Sequence, residues 1–234
     1  MAATPPDAPP TLEYLYFPLY AKGLGPALNL AFSGLSWKGP KELGWSASDW
    51  GALKASGEPP FGQLPLLRTG GPAGTISQCI AIVNYVARKA GPKLEGAHER
   101  EVALSQMLMS EAEDLFSAWG KVQPTLYAAW ETKPGFKELN AYWSETLVAH
   151  LAKLEVLCST EKGFTTNGTT AGELQLFSYL YQMTLVKADC LASAPKVAAW
   201  FAALAADERV ATVTSGASSF GDFQQYFIAA PELE

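Results

Sequence analysis

The sequence predicts a two-part protein, a small α/β domain followed by an all-helical domain. Strand patterns and helix patterns alternate as far as Gly91, whereas only long amphipathic helix patterns follow after Gly96. A stretch that begins and ends with a glycine and contains a proline separates the two parts. The predicted organisation is a disordered Pro/Ala-rich leader at 1–10, an α/β domain at 11–91, a linker at 92–97 and a helical domain at 98–234.

Four segments define the predicted α/β domain. The first of them, TLEYLYF, alternates and is rich in leucine and aromatic residues, which is typical of a strand. The two helices are recognised by apolar residues at helical spacing and by glycines after their last turns. In chain order, the predicted elements are a strand at 11–17, a helix that stops at Gly34, a strand at 65–69 (PLLRT), and a helix that is capped by Thr75 or Ser77 and ended by Gly91.

The helical domain is predicted from four segments whose apolar residues recur at steps of three and four. Aromatic and methionine side chains contribute to these stripes, and we interpret them as core rather than as a cofactor site, because buried helix faces have this composition. The segments are 98–122, 137–158, 171–190 and 195–211.

The composition excludes several classes of function. The chain has 234 residues, of which 17% are charged, and its formal net charge is −6. Nucleic acid is not an expected partner, because nucleic-acid-binding surfaces are normally basic and no Lys/Arg cluster is present. No uncharged apolar run is long enough to span a membrane, and the leader lacks the basic and apolar regions of a secretory signal.

The cysteines and histidines predict neither a disulfide framework nor a metal site. Cys79, Cys158 and Cys190 are odd in number and far apart, and His98 and His150 do not have a ligand spacing. Free thiols are typical of a reducing compartment. The sequence therefore predicts no metal, no membrane association and a cytoplasmic location.

Pro65 lies inside an apolar run, FGQLPLL, that otherwise reads as a buried strand. Proline has no N–H and cannot donate to a central ladder, so it is expected at the start of a strand. One interpretation is a loop proline that leads into an edge strand. The other is a cis peptide that turns the preceding backbone outward and leaves Leu64 free to bind an extended ligand.

Four motifs, in order along the chain, resemble those of the cytosolic glutathione transferases. The stretch FGQLPLL with the later SQCIAIVNYVAR resembles their glutathione-site strand, turn and helix, and SDWGALKAS resembles their W-x-x-x-K segment. TTNGTTAGELQLF resembles the capping turn of their long core helix, and PKVAAWFAALAADERVATV resembles a later helix of the same domain. The resemblance covers about residues 12–213, and its details are closest to the sigma and mu classes.

The resemblance implies a thioredoxin-like N-terminal domain with glutathione as co-substrate. In this family a cis-proline presents the residue before it, so Leu64 is implied to pair its backbone with the cysteinyl part of glutathione, and Gln63 and Pro65 belong to the same site. Trp50 and Lys54 are implied to hold the glycine carboxylate, for which an indole N–H and an ammonium are suitable donors. The alternative for this pair is a packing tryptophan beside a solvated lysine.

Gln78 and Cys79 open the helix after the turn, where the helix N-terminus favours an anion such as the γ-glutamyl carboxylate. The family has serine where this chain has Cys79, a weaker donor, and the helix dipole is expected to lower the pKa of that thiol. The alternative is a small buried cysteine. Asp114 is implied to reach across a dimer to the glutathione α-amino group, with Glu113 or Glu111 as register alternatives and an ordinary solvated face as the other interpretation.

Tyr16 is implied to be the catalytic residue, because these classes use a tyrosine at the end of the first strand to stabilise the glutathione thiolate. The family places a basic residue four positions after that tyrosine, whereas Lys22 comes six after Tyr16, so this chain has a two-residue insertion. Tyr20 is therefore an alternative, and a third possibility is no catalytic tyrosine. Leu24 replaces an arginine of the sigma enzymes, so one thiolate-supporting charge is missing.

The expected function is a homodimeric glutathione transferase active in detoxification, with thiolate attack on small hydrophobic electrophiles. An apolar electrophile pocket is expected between the domains, near Tyr16, Leu24, Trp119 and the aromatic tail FGDFQQYFIAA. The alternatives are a binding or structural protein with little catalysis on the same fold, and a glutathione-dependent isomerase.

Overall fold

The computed structural model describes residues 10–128, 132–159 and 163–229, and it confirms the predicted fold class. All named strands precede Cys79, and every named element after them is helical. Apart from Pro10, the predicted leader lies outside the described residues. The strands are β1 (Leu12–Leu15), β2 (Trp37–Lys38), β3 (Leu66–Arg68) and β4 (Thr75–Ser77). The helices are α1 (Leu24–Ser33), α2 (Pro40–Leu43), α3 (Trp50–Ala55), α4 (Cys79–Ala90), α5 (Pro92–Glu95), α6 (Glu99–Val122), α7 (Phe136–Ala141), α8 (Leu147–Leu157), α9 (Ala171–Val186), α10 (Pro195–Ala205) and α11 (Glu208–Thr214), with a 3₁₀ turn at Ala47–Asp49 and a π segment at Tyr142–Thr146.

The four strands form one mixed sheet in the order β2-β1-β3-β4. β1 is parallel to β2, with α1 as the crossover, and antiparallel to β3, which is antiparallel to β4. Leu66 of β3 pairs with Leu15 on one side and with Ser77 on the other. This row lies at one end of the strands, which we call the edge of the sheet. The next residues beyond the row are Tyr16, Pro65 and Gln78.

The helix predicted to be capped by Thr75 or Ser77 begins later, at Cys79. Thr75 to Ser77 instead form β4, because Thr75 pairs with Arg68 and Ser77 with Leu66, so the sheet uses these backbone groups. The first strand is shorter than the predicted 11–17, since its pairing with β3 ends at Leu15. The two-residue strand β2 was not predicted. As predicted, α1 ends before Gly34 and α4 ends before Gly91.

The residues predicted as a linker contain the short helix α5. Leu94 on this helix is buried, and α5 packs against α4 and α1. The junction is therefore packed onto the α/β part, while the exact domain boundaries stay a prediction.

Helix α9 is buried along almost its whole length and packs against α6 and α1. Two glycines permit these close approaches. A Cβ on Gly172 of α9 would lie 2.0 Å from a backbone oxygen of α6, and one on Gly25 of α1 would lie 2.0 Å from a side-chain oxygen of α9. The two halves of the molecule therefore meet through three helices in direct contact.

The start of α9 has the capping turn that the sequence resemblance implies. The Thr170 side chain accepts a hydrogen bond from the backbone N–H of Glu173. In return, the Glu173 carboxylate accepts a hydrogen bond from the backbone N–H of Thr170. A second acid holds the loop before this cap. Glu101 of α6 accepts hydrogen bonds from the amide of Ala97 at 3.0 Å, from the amide of Thr166 at 2.9 Å and from the Asn167 side chain at 3.1 Å.

The side chain of Glu101 is only 6% exposed. Burial by itself raises the pKa of this carboxyl, but the hydrogen bonds from Ala97, Thr166 and Asn167 outweigh burial and lower the pKa to about 2. A folded-state pKa below the unfolded one stabilises the protein above the unfolded pKa, and that contribution is lost as the pH falls through the folded pKa.

We therefore predict that Glu101→Gln destabilises the fold near pH 7 by ~1–3 kcal/mol and flattens the acid dependence of stability between about pH 5 and pH 2. Urea unfolding at a series of pH values measures both effects. Glu99→Gln, at an exposed position of the same helix turn, serves as the control. An unaltered acid dependence in Glu101→Gln would contradict this role.

Candidate functional site

The peptide bond between Leu64 and Pro65 is cis, the second of the two interpretations of the sequence. Pro65 is buried immediately before β3, so its missing N–H removes no bond from the ladder. Leu64 is half-buried, and within the described residues no hydrogen bond to its backbone N–H or C=O is found. The backbone of Leu64 is thus available for an extended ligand.

Gln78 lies beside this turn, one residue beyond the end of β4. It adopts φ 77°, a left-handed value that is uncommon for a residue with a side chain, and α4 begins directly after it. Its exposed side-chain amide donates to the Oε1 atom of Gln63 at 3.5 Å. The uncapped N–H groups of the first turn of α4 and the Gln78 amide therefore offer donors at the same edge of the sheet.

Trp50 and Lys54 lie one turn apart on α3, with the Lys54 ammonium 5.9 Å from the centre of the Trp50 ring. Lys54 is exposed, whereas Trp50 is half-buried and meets the Phe17 ring edge-on at 5.8 Å. Trp50 and Leu64 pack against the same small apolar cluster. The structure thus brings one indole and one ammonium next to the Leu64 turn.

Tyr16 follows the last residue of β1 and is only 7% exposed. Its hydroxyl oxygen accepts a hydrogen bond from the Lys22 amide at 3.3 Å, which leaves the hydroxyl proton free to be donated. Burial raises the pKa of Tyr16 well above its usual range, and the Lys22 bond lowers it by less. The phenol therefore stays protonated at neutral pH and can donate a hydrogen bond.

The two neighbouring tyrosines are engaged elsewhere. Tyr14 is fully buried, and its hydroxyl donates to the carbonyl of Gly23 at 3.0 Å. The Tyr20 ring stacks on Phe223 at 5.0 Å and meets Tyr181 edge-on at 5.6 Å. This geometry favours Tyr16 over Tyr20 as the reactive tyrosine.

A cavity of about 380 Å³ opens beside Tyr16. Its walls include Tyr16, Pro18, Pro40 and Trp45 on the α/β side and residues 220–222 on the other side. The lining combines prolines and aromatic rings with a few polar groups, which is typical of a small-molecule site. No sequence pattern indicated Pro40 or Trp45, because these residues reach the cavity only through the path of the backbone at α2 and just after it.

Leu24 and Trp119, which the sequence placed on the electrophile pocket, do not line this cavity. Both are fully buried. Leu24 is in the core at the start of α1, and Trp119 donates its indole N–H to Gln123 at 3.0 Å and lies 3.8 Å from the Phe227 ring, centre to centre. The physical reason for Trp119 is that Phe227 of the aromatic tail packs against it, and Leu24 is enclosed by the core.

The expected lowering of the Cys79 pKa is also wrong. The thiol is buried, and burial together with the nearby Glu113 carboxylate raises its pKa to about 12, which outweighs the helix dipole. The Gln175 amide donates to its sulfur at 3.5 Å. The Cys79 side chain therefore points towards the helical half, and only its position at the first turn of α4 matches the prediction.

The three acids considered on α6 have different surroundings. Asp114 is exposed. Glu113 forms an ion pair with Lys22 at 2.7 Å and accepts from the Tyr179 hydroxyl at 2.6 Å, so it bridges the two halves of its own chain. Glu111 bonds to the imidazole of His150 on α8. The bridge through Glu113 was not predicted, although Lys22 and Glu113 were each noted for their spacing.

Within the described part of the chain, no group of histidine, cysteine, aspartate and glutamate side chains could hold a metal ion. None of the described helices is long and apolar enough to cross a membrane.

Solved structures share this fold, whereas no protein-family model and no curated protein matches the chain. A Pi-class glutathione S-transferase from Onchocerca volvulus has a TM-score of 0.69 at 22% identity, over 87% of this chain and 92% of its own. Prostaglandin synthase D of Nilaparvata lugens has a TM-score of 0.68 at 19% identity, over 87% and 97%. Rat hPGDS complexed with a quinoline has a TM-score of 0.70 at 18% identity, over 87% and 95%. The chain therefore has the two-domain fold of glutathione S-transferases, a thioredoxin-like domain followed by a helical domain.

Proposed function

We propose that this protein is a glutathione transferase, most similar in design to the sigma class, that ionises the glutathione thiol for attack on small hydrophobic electrophiles. The observation that carries the proposal is the gathering of Leu64 with its cis-proline, Gln78 at the start of α4 and Tyr16 along one edge of the sheet. With an aryl halide, the sulfur–carbon bond forms, the halide leaves and the thiol proton passes to solvent.

Each part of glutathione has a matching group in this arrangement. The cysteinyl backbone pairs with the free N–H and C=O of Leu64, as an added strand would. The glycine carboxylate lies at Trp50 and Lys54, whose indole and ammonium groups are donors. The γ-glutamyl carboxylate lies at the N-terminus of α4, with the side chain of Gln78 as a further donor.

Tyr16 supplies the chemistry by donating a hydrogen bond from its hydroxyl to the glutathione sulfur, which stabilises the thiolate. Lowering a thiol pKa from ~8.5 by about two units requires roughly 2.7 kcal/mol, which is near the upper range for one hydrogen bond to a charged group. The raised pKa of Tyr16 keeps the phenol protonated, so it stays a donor while the thiolate forms. The electrophile occupies the cavity beside Tyr16.

A glutathione-dependent isomerase is the second candidate, because two proteins of the same fold are prostaglandin D synthases by name. Both activities use the same thiolate and differ in what enters the cavity. A binding protein with little catalysis is the third candidate, and the buried Cys79 thiol and the leucine at position 24 support it. We place the protein in the cytoplasm, in detoxification.

We further propose a homodimer formed by the α/β half of one chain and the helical half of the other. Phe61, beside the Leu64 turn, is 66% exposed, and Met107 of α6 and Val156 of α8 are 56% and 82% exposed. These apolar side chains on both halves fit a shared interface. The exposed Asp114 then serves the glutathione α-amino group of the partner's site.

Gln78→Ala is expected to weaken glutathione binding by ~1–3 kcal/mol, because the bound carboxylate loses a donor. Isothermal calorimetry measures this change. Gln106→Ala removes another exposed glutamine amide, one that donates to Asn84 on α4, and should leave the affinity unchanged. Equal affinities of both variants and the parent would reject the site.

Tyr16→Phe is expected to lower kcat/KM ~10–100-fold, since it removes one charge-assisted hydrogen bond and keeps the ring packing. The absorbance titration of bound glutathione should shift to higher pH in this variant. Tyr20→Phe, which changes a tyrosine of the aromatic stack, is the matched control and should retain the parent's titration. Full activity in Tyr16→Phe, with loss in Tyr20→Phe or in Cys79→Ser, would overturn this mechanism.

Light scattering is expected to give about twice the chain mass of 25.1 kDa. Phe61→Glu should shift the mass to that of one chain, because it introduces a charge into the apolar contact. Leu185→Glu changes an apolar side chain that is 41% exposed at the end of α9 and should leave the dimer intact. A single-chain mass with full activity in the unaltered protein would refute the dimer.

A further inference from the structure

The segment 216–229, here called the tail, is fastened to both halves of the molecule. On the α/β half, the Gly39 amide donates to the Ser219 hydroxyl at 2.8 Å, and the Gln224 amide donates to the Pro18 carbonyl at 2.8 Å. On the helical half, the Ile228 amide donates to the Pro124 carbonyl at 3.1 Å. The tail is therefore held along its length, as part of the packed structure.

Three aromatic side chains of the tail, Phe220, Phe223 and Phe227, form what we call the aromatic plug. Phe220 and Phe223 are stacked at 4.0 Å with an angle of 7° between the rings, and Phe220 lies 5.8 Å from the Tyr14 ring. Phe227 covers Trp119 at 3.8 Å. Phe220 and Phe227 are 3% and 1% exposed, so the plug fills the cleft between the halves.

The inserted loop after β1 completes the plug. Tyr20 stacks on Phe223 at 5.0 Å with 13° between the rings, and its amide donates to the Gln224 carbonyl at 3.0 Å. The two-residue insertion in the sequence thus places one more aromatic ring against the tail. The insertion and the tail act as one packed unit.

The cavity beside Tyr16 is the space that the plug leaves open. Phe220 and the two residues after it contribute to its wall, together with Pro18, Pro40 and Trp45. Phe220 also packs against Tyr14, and Phe227 packs against Trp119, and both Tyr14 and Trp119 are fully buried. The size of the cavity therefore depends on where the plug sits.

We propose that the aromatic plug selects the electrophiles of this protein by shape: it favours single-ring compounds over wide, rigid fused-ring compounds, which meet the wall formed by Phe220 and the ring stacked on it. This inference rests on the proposed glutathione transferase activity and adds its substrate class. A rigid wall of stacked rings discriminates by size, because a ligand that overlaps the wall must displace packed aromatic contacts.

Two enones with the same reactive group, one bearing a phenyl ring and one bearing an anthracenyl ring, test the proposal. In both reactions the glutathione sulfur bonds to the β-carbon and the α-carbon takes up a proton, with no leaving group. Phe223→Ala is the main variant, because Phe223 is only partly buried and stacks on Phe220, which lines the cavity. We expect the ratio of kcat/KM for the anthracenyl over the phenyl enone to rise ~10-fold or more in this variant.

Phe201→Ala is the matched control. Phe201 is also a partly buried phenylalanine in a stacked pair, 4.8 Å from Phe177 on the helical half, and its loss should leave the ratio unchanged. Phe223→Leu keeps the apolar volume while it removes the stacked ring, and it replaces Phe223→Ala if thermal unfolding shows that the alanine variant does not fold. Glutathione binding is measured for every variant.

The outcomes separate the two proposals. If the unaltered protein binds no glutathione and converts neither enone, the proposed function fails. If it converts the phenyl enone and the ratio stays constant in Phe223→Ala or Phe223→Leu, the proposed function stands and the plug is not the size filter. An equal gain for both enones likewise overturns the role of the plug.

Discussion

The close packing of α9 between α6 and α1 is the constraint on which the rest of the structure depends. Gly172 lets α9 approach the backbone of α6, and Gly25 of α1 leaves room for a side chain of α9. The polar side chains of α9 then reach the α/β half directly: the Gln182 amide donates to the Ala21 carbonyl at 2.9 Å, in the loop that also carries Lys22. That loop holds the hydroxyl of Tyr16, so the position of the reactive tyrosine depends on the helix interface.

The same interface contains a chain of charged and polar groups. The Lys22 ammonium, the Glu113 carboxylate, the Tyr179 hydroxyl and the Gln175 amide are linked from the first loop of the α/β half to the sulfur of Cys79. Each charge in it has an opposite charge or a donor as partner, which is the condition for placing charges between packed domains. This series of hydrogen-bonded groups has two roles: it joins the two halves, and it surrounds the Cys79 thiol, which stays protonated.

Much of the fold could be predicted from local sequence, and the misses have non-local causes. Helix periodicity predicted the helical half, and the proline at position 65 indicated a turn that opens a strand. Thr75 to Ser77 were misassigned because a three-residue strand is too short to show a period of its own and exists only through pairing with Leu66 to Arg68. A serine or threonine before an apolar run also resembles a helix cap.

The candidate site divides in the same way. Leu64, Gln78, Trp50 and Lys54 belong to short continuous motifs, and the structure gathers them at one place. Trp119 was misplaced because its burial depends in part on Phe227 of the tail, which is distant in the sequence, and Leu24 because it lies in the core at the start of α1. The direction of the Cys79 pKa was missed for a related reason, since its burial comes from the helical half.

The route of the tail has a consequence for how the molecule is made. Residues 216–229 are synthesised after both of the halves that they join, so each half emerges from the ribosome before the cleft between them can be closed. Until then, Tyr14 lacks its contact with Phe220 and Trp119 lacks its contact with Phe227, and exposed apolar surface of this kind favours association with other chains. The cleft therefore closes late in biosynthesis. A chain truncated shortly before the tail would have two nearly complete domains with an exposed apolar surface between them.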